Sequence, residues 1–173
     1  QEQQAAAMRL ARLQDELERS ETRRSGGLLG KLLGRRSAPP RGIYMWGGVG
    51  RGKSMLMDLF HETLAIEAKR RVHFHAFMIE VHALLREERR KEAGDPVPPV
   101  AAALACEVRC LAFDEMVVNN SADAMIMSRL FTQLIVEQGV TVVTTSNRAP
   151  SQLYKDGLNR EHFLPFIALI ERE

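Results

Sequence analysis

Apolar positions recur along this chain in two periods, and the alternation of those periods sets the fold class. Residues 1–24 place Ala6, Leu10, Leu13 and Leu17 at helical spacing with charges on the opposite face, which predicts an amphipathic helix docked on its own domain. Gly42-Ile43-Tyr44-Met45-Trp46 is an apolar run of strand length. Helical spacing then returns, with Leu56, Leu59, Phe60 and Leu64 read as one face. Residues 71–77 alternate as a strand does, with Val72 and Phe74 sharing a face, and Phe77, Val81, Leu84 and Leu85 carry a helix to about Glu92. Gly94-Asp95-Pro96-Val97-Pro98-Pro99 breaks it, and an alanine-rich helix through Ala105 follows.

The second half repeats the alternation. Residues 108–113 form an almost unbroken apolar run, as expected of a strand buried on both faces. Residues 122–137 read as a helix, with Ile126, Leu130 and Leu134 four apart and Gly139 as its stop. Residues 140–145 are a β-branched strand. Pro150 opens a short helix that Gly157 ends, and a last helix runs from about Arg160 to Glu171. Strands alternating with helices call for a three-layer α/β fold, a parallel sheet covered on both faces.

Composition narrows the class. The 173 residues suit one domain, and 45% hydrophobic with 27% charged residues is ordinary for a globular chain. A net charge of +2 gives no electrostatic case for direct nucleic-acid binding. No apolar run approaches the roughly 20 residues of a membrane span. Two cysteines, Cys106 and Cys110, make no disulfide framework, and a reducing cytoplasm is the expected setting. Residues 25–41 are basic and rich in Gly and Pro, as a solvated linker is, so the organisation expected is a helix at 1–24, a linker at 25–41 and a core at 42–173. His73, His75 and His82 lack an evident fourth ligand and are not read as a metal site. Met55, Met57, Met125 and Met127 are read as core.

The chemistry is concentrated between the first core strand and its helix. Gly47-Gly48-Val49-Gly50-Arg51-Gly52-Lys53-Ser54 completes the pattern G-x-x-x-x-G-K-S in the setting of strand, loop and helix start. Glycines let backbone N–H groups close on phosphate oxygens, and the helix start adds partial positive charge. Lys53 is expected to reach the outer phosphates and the Ser54 hydroxyl to ligate Mg²⁺. The expected ligand is ATP, or another nucleoside triphosphate.

Asp114 and Glu115 follow the apolar strand, at the carboxyl end where parallel sheets bind ligands. Asp114 is the second candidate for Mg²⁺, and Glu115 the candidate to polarise an attacking water. Asn147 follows the strand at 140–145. If that strand lies between those leading to Lys53 and Asp114, its terminal amide comes near the γ-phosphate.

Five segments together resemble the ZapE family, bacterial cell-division ATPases of the AAA+ class related to mitochondrial AFG-like ATPases. They are residues 47–60, 72–78, 113–115, 122–126 and 154–167. The resemblance implies an AAA+ core with sheet order 5-1-4-3-2. Within it, Lys53 belongs to Walker A, Asp114 and Glu115 to Walker B, and Asn147 to the first sensor. It implies an oligomeric ring, with Arg160 the candidate arginine finger and Arg148 a weaker rival, and a partner in the tubulin-like division ring. The family continues Phe-Asp-Glu with Phe-Gln-Val-Thr-Asp where Met116-Val117-Val118-Asn119-Asn120 stands here, which removes an acid and a hydroxyl. No fifth strand or helical lid is legible in the chain, so it reads as the larger part of a longer protein. Two other readings share the phosphate loop, a small-molecule kinase and a nucleotide-gated module of the helicase-loader kind.

Overall fold

Strands β1 (Ile43–Trp46), β2 (Lys69–His73), β3 (Cys110–Asp114) and β4 (Thr141–Ser146) form a parallel sheet in the order β1-β4-β3-β2. The computed structural model describes residues 2–25, 38–91 and 94–173. The helices are α1 (Glu2–Ser25), α2 (Lys53–Thr63), α3 (Phe74–Arg89), α4 (Val97–Glu107), α5 (Ser121–Phe131) and α6 (Leu164–Arg172). This order is the 1-4-3-2 part of the one expected. Most of the linker expected at 25–41 lies outside the described residues. Its end is tied to the sheet, where the Thr141 hydroxyl donates to the Pro40 carbonyl at 2.9 Å.

Side-chain alternation along the strands sorts the core into two layers. Cys110 and Ala112 of β3, Met45 of β1 and Val143 of β4 face α1 and α2, packing on Leu10, Leu13, Leu17, Met57, Phe60 and Leu64. Leu111 and Phe113 face the other way, into the cluster built by α3, α4, α5 and α6. There Phe113 meets Phe77 at 4.7 Å and Phe131 at 5.7 Å between ring centroids, and Phe131 meets Phe166 at 5.3 Å. Edge-on aromatic pairs contribute about 0.5–1.5 kcal/mol each beyond their buried area. They clamp β3 one residue before Asp114. Burial also pushes the Cys110 thiol up to about 12, while Cys106 is exposed.

Five sequence expectations need correction. The strand at 71–77 ends at His73, and α3 begins at Phe74. His73 and His75 therefore do not alternate along one strand. The buried face of α2 is Met57, Phe60 and the following Leu64, whereas Leu59 is 57% exposed. Met55 and Met125 are also exposed, so only Met57 and Met127 of that group are core. The helix expected to 137 is α-helical to Phe131 and then widens into a π turn at Thr132–Glu137. The Thr132 hydroxyl bonds back to the Ser128 carbonyl there, at 2.7 Å, a contact that loosens a helical ladder. Finally, the last segment is a short 3₁₀ turn, Arg160–His162, followed by α6.

Candidate nucleotide site

Gly47, Gly50 and Gly52 have φ of 144°, 78° and 71°, conformations that L side chains rarely adopt, and together they turn the chain from β1 into α2. Lys53 is the first residue of α2. Its Nζ donates to the carbonyls of Gly47 and Gly48, both at 2.8 Å, and to Asn147 Oδ1 at 3.3 Å. Asn147 arrives because β4 lies between β1 and β3, paired with both. Val49 and Arg51 stand exposed at the loop tip. The start of α1 touches this loop, with Gln3 Nε2 donating to the Arg51 carbonyl at 2.9 Å and Glu2 pairing with the Arg51 guanidinium at 2.7 Å.

The acidic pair sits at the carboxyl end of β3. Asp114 is 6% exposed. Its Oδ2 accepts from Arg71 of β2, while its Oδ1 is buried without a hydrogen-bond partner among the described residues. The other arm of the Arg71 guanidinium pairs with Asp58 of α2. Ser54 lies four residues before Asp58 on the same face of that helix, so Arg71 draws the Ser54 face toward Asp114. Glu115 is exposed and has φ of 54°, uncommon for a residue with a side chain. Its N–H donates to the Thr145 hydroxyl at 3.0 Å, which fastens this turn to β4.

These groups fit a magnesium–nucleotide complex. A buried carboxylate oxygen left without a partner costs about 1–3 kcal/mol, a cost that a cation or its water shell removes. Carboxylate and hydroxyl are the hard oxygen donors Mg²⁺ prefers.

A sequence model of the AFG1-like ATPase family matches residues 1–173. The chain belongs to this family. It is 44% identical over 156 residues to the cell division protein ZapE of Escherichia coli (strain K12), covering 86% of this chain and 41% of ZapE. It is also 44% identical over 142 residues to lactation elevated protein 1 homolog B of Danio rerio, covering 77% of this chain and 28% of that protein. The chain thus spans less than half the length of these curated relatives. Among solved structures, AMPPCP-bound DnaA from Aquifex aeolicus gives a TM-score of 0.51 at 18% identity, over 76% of this chain and 38% of DnaA. A DNA replication initiation factor gives 0.53 at 15% identity, over 76% of this chain and 37% of that one. The likeness is one of fold, the P-loop AAA+ arrangement.

In this AFG1-like family member the loop after Glu115 is anchored to β4. The Met116 N–H donates to the Thr145 carbonyl at 2.8 Å, and the Met116 carbonyl accepts from the Ser146 hydroxyl at 3.0 Å. Asn120 caps α5, its Oδ1 accepting from the Asp123 N–H at 2.8 Å, which is the work an acid would do there. Arg160 lies on the 3₁₀ turn after Asn159. Its Nη2 donates to the Ser151 carbonyl at 2.8 Å, and its Nε is buried without a partner among the described residues. Neither Glu161 nor Asp156 pairs with it among those residues. Arg148 is exposed beyond Asn147, and its carbonyl accepts from the Tyr44 hydroxyl at 2.8 Å. Burial raises the Tyr44 phenol to about 12.

Arg71 and Asp58 are the residues that sequence reasoning missed. Their partners lie on other elements, and only the i, i+4 relation of Ser54 and Asp58 is visible locally. Arg71→Ala is expected to lower stability by about 1–3 kcal/mol, because it strips a buried carboxylate of its charged donor. Asp58→Asn should cost less than about 1 kcal/mol, since Asp58 is half exposed. Urea denaturation of both variants checks the ranking, and equal losses would contradict it.

Proposed function

We propose that this chain carries the Mg²⁺-dependent ATP hydrolysis core of an oligomeric AAA+ ATPase that remodels a protein partner. The observation that carries the reading is the Asp114 carboxylate, fixed through one oxygen by Arg71, which also pairs with Asp58 of α2, while the other oxygen lies buried without a partner among the described residues. Backbone N–H groups at 47–54 and the Lys53 ammonium hold the triphosphate. Engaging it exchanges one bond from the Lys53 ammonium to a neutral carbonyl for a stronger one in which both partners are charged. Ser54 and Asp114 hold Mg²⁺, which when bound offsets charge on the phosphate oxygens. Glu115 polarises the attacking water, and Asn147, held near Lys53 Nζ, orients it against the γ-phosphate. Arg160 acts in the nucleotide site of a neighbouring subunit of a ring.

The name of the 44% identical ZapE, a cell division protein, supports a place in cell division; the tubulin-like division ring is the partner we propose. Two free cysteines support a reducing cytoplasm. Among the described residues no helix is long and apolar enough to cross a membrane.

The test is nucleotide binding together with phosphate release in the absence of any acceptor, which separates hydrolysis from kinase chemistry. Lys53→Ala is expected to weaken binding of a fluorescent ATP analogue by about 10- to 100-fold, the loss of a charge-assisted bond of about 1.5–3 kcal/mol. Unchanged affinity would remove the phosphate cradle from this loop.

A further inference from the structure

A cleft whose lining includes no residue of the phosphate loop lies between α3 and the start of α5, with a volume of about 560 Å³. His75, Ile79, His82, Arg86 and Arg89 line one side of it and Asn120, Ser121 and Ala122 the other. At 3.6 residues per turn the five α3 residues fall in one stripe roughly 100° wide and about 21 Å long. Glu80, Glu87 and Glu88 of the same helix lie outside that stripe.

The charge in this cleft is one-sided. Its single acid, Asp123, is buried and already engaged on both oxygens. Oδ1 lies 2.6 Å from His82 Nε2, and Oδ2 accepts from Asn120 Nδ2 at 2.8 Å. Arg86 spends only its Nε, on the His82 carbonyl at 3.2 Å. Among the described residues, neither its terminal nitrogens nor Arg89 meets an acid. Ile79, 57% exposed, sits one turn from the start of the stripe, next to the buried Met78.

We propose that this cleft is the docking surface for an acidic, extended segment of the protein partner, carrying one apolar side chain for Ile79. The proposal rests on the reading that the ATPase acts on a protein. About 21 Å accommodates roughly six residues of extended chain at about 3.3 Å each. Two guanidiniums without acids give forked donors for carboxylates. A single-stranded nucleic acid fits less well, because the rings lining the cleft are two imidazoles, that of His82 is held by Asp123, and Phe74 and Phe77 beside it are turned into the core. The segment 116–120 joins the cleft to Glu115, so the docked chain lies one short loop from the water-polarising acid.

The experiment is fluorescence anisotropy with the 173-residue chain. The probe is a fluorescein-labelled peptide of alternating Glu and Asp around a central Phe. The controls are a version with Lys for every acid, a version with Gly for Phe, and labelled oligothymidylate. The acidic Phe peptide is expected to bind and the Lys version not to bind. The exposed pair Arg86→Glu and Arg89→Glu together should weaken binding at least about tenfold, with circular dichroism and ATP affinity unchanged. Ile79→Ser should weaken the Phe peptide and leave the Gly peptide as it was. No binding of the acidic peptide, binding indifferent to the charge reversal, or binding of oligothymidylate alone would overturn the proposal. Phosphate release by the full-length protein, measured alongside, keeps the two readings apart. Peptide binding without turnover counts against hydrolysis and supports the docking surface, whereas turnover without peptide binding does the reverse.

Discussion

Glu115→Gln is expected to bind ATP as tightly as the parent and to turn it over about 10²–10⁴-fold more slowly, the range a positioned general base contributes. The substitution is nearly isosteric, and the contact that fixes this turn is made by the Glu115 N–H to Thr145 rather than by the carboxylate. Loss of fold is therefore not the expected cause of lost activity. The left-handed backbone at Glu115 costs on the order of 1–3 kcal/mol, and strain of this kind concentrates where a side chain must be aimed. Single-turnover phosphate release beside analogue binding gives the measurement. Normal turnover would return Glu115 to the role of an acidic turn residue.

Arg160→Ala in the full-length protein is expected to keep ATP binding and to lose about 10³–10⁵ in turnover, the range for an arginine acting on transition-state charge. Its guanidinium is oriented by a neutral carbonyl, that of Ser151, so its positive charge stays available to an anion. The buried Phe163, packed on Tyr154 and Phe166, holds the turn that carries it. Mixing Arg160→Ala with Lys53→Ala should restore activity, since one variant supplies an intact phosphate loop and the other an intact arginine. A mixture as inactive as its parts would leave action across subunits without support, and full activity in Arg160→Ala alone would point instead to Arg148.

The phosphate loop was legible because its conformation rests on the main chain, and a main chain that must pass through φ of 78° and 71° writes glycine into the sequence. The strand order was legible only through family likeness, since pairing of β4 with both β1 and β3 leaves no local mark. The boundary at His73 was misread for a specific reason. Phe74 is two residues from Val72 but also three and four from Phe77 and Met78, so one residue satisfies both periods, and burial of all three against one core decides for the helix. Leu59 was misassigned because helical spacing fixes a face but not its width, and Met57 took the inner position. Arg71 was invisible because it acts through Asp58 and Asp114, on two other elements.

The opening helix has a practical bearing on anyone handling this molecule. Trimmed away as though it were a leader, α1 would uncover Met57, Phe60 and Leu64, and the oily patch left behind would invite precipitation rather than yield a smaller working unit. Because Glu2 pairs with Arg51, whatever is joined directly ahead of this helix lies beside the glycine-rich loop.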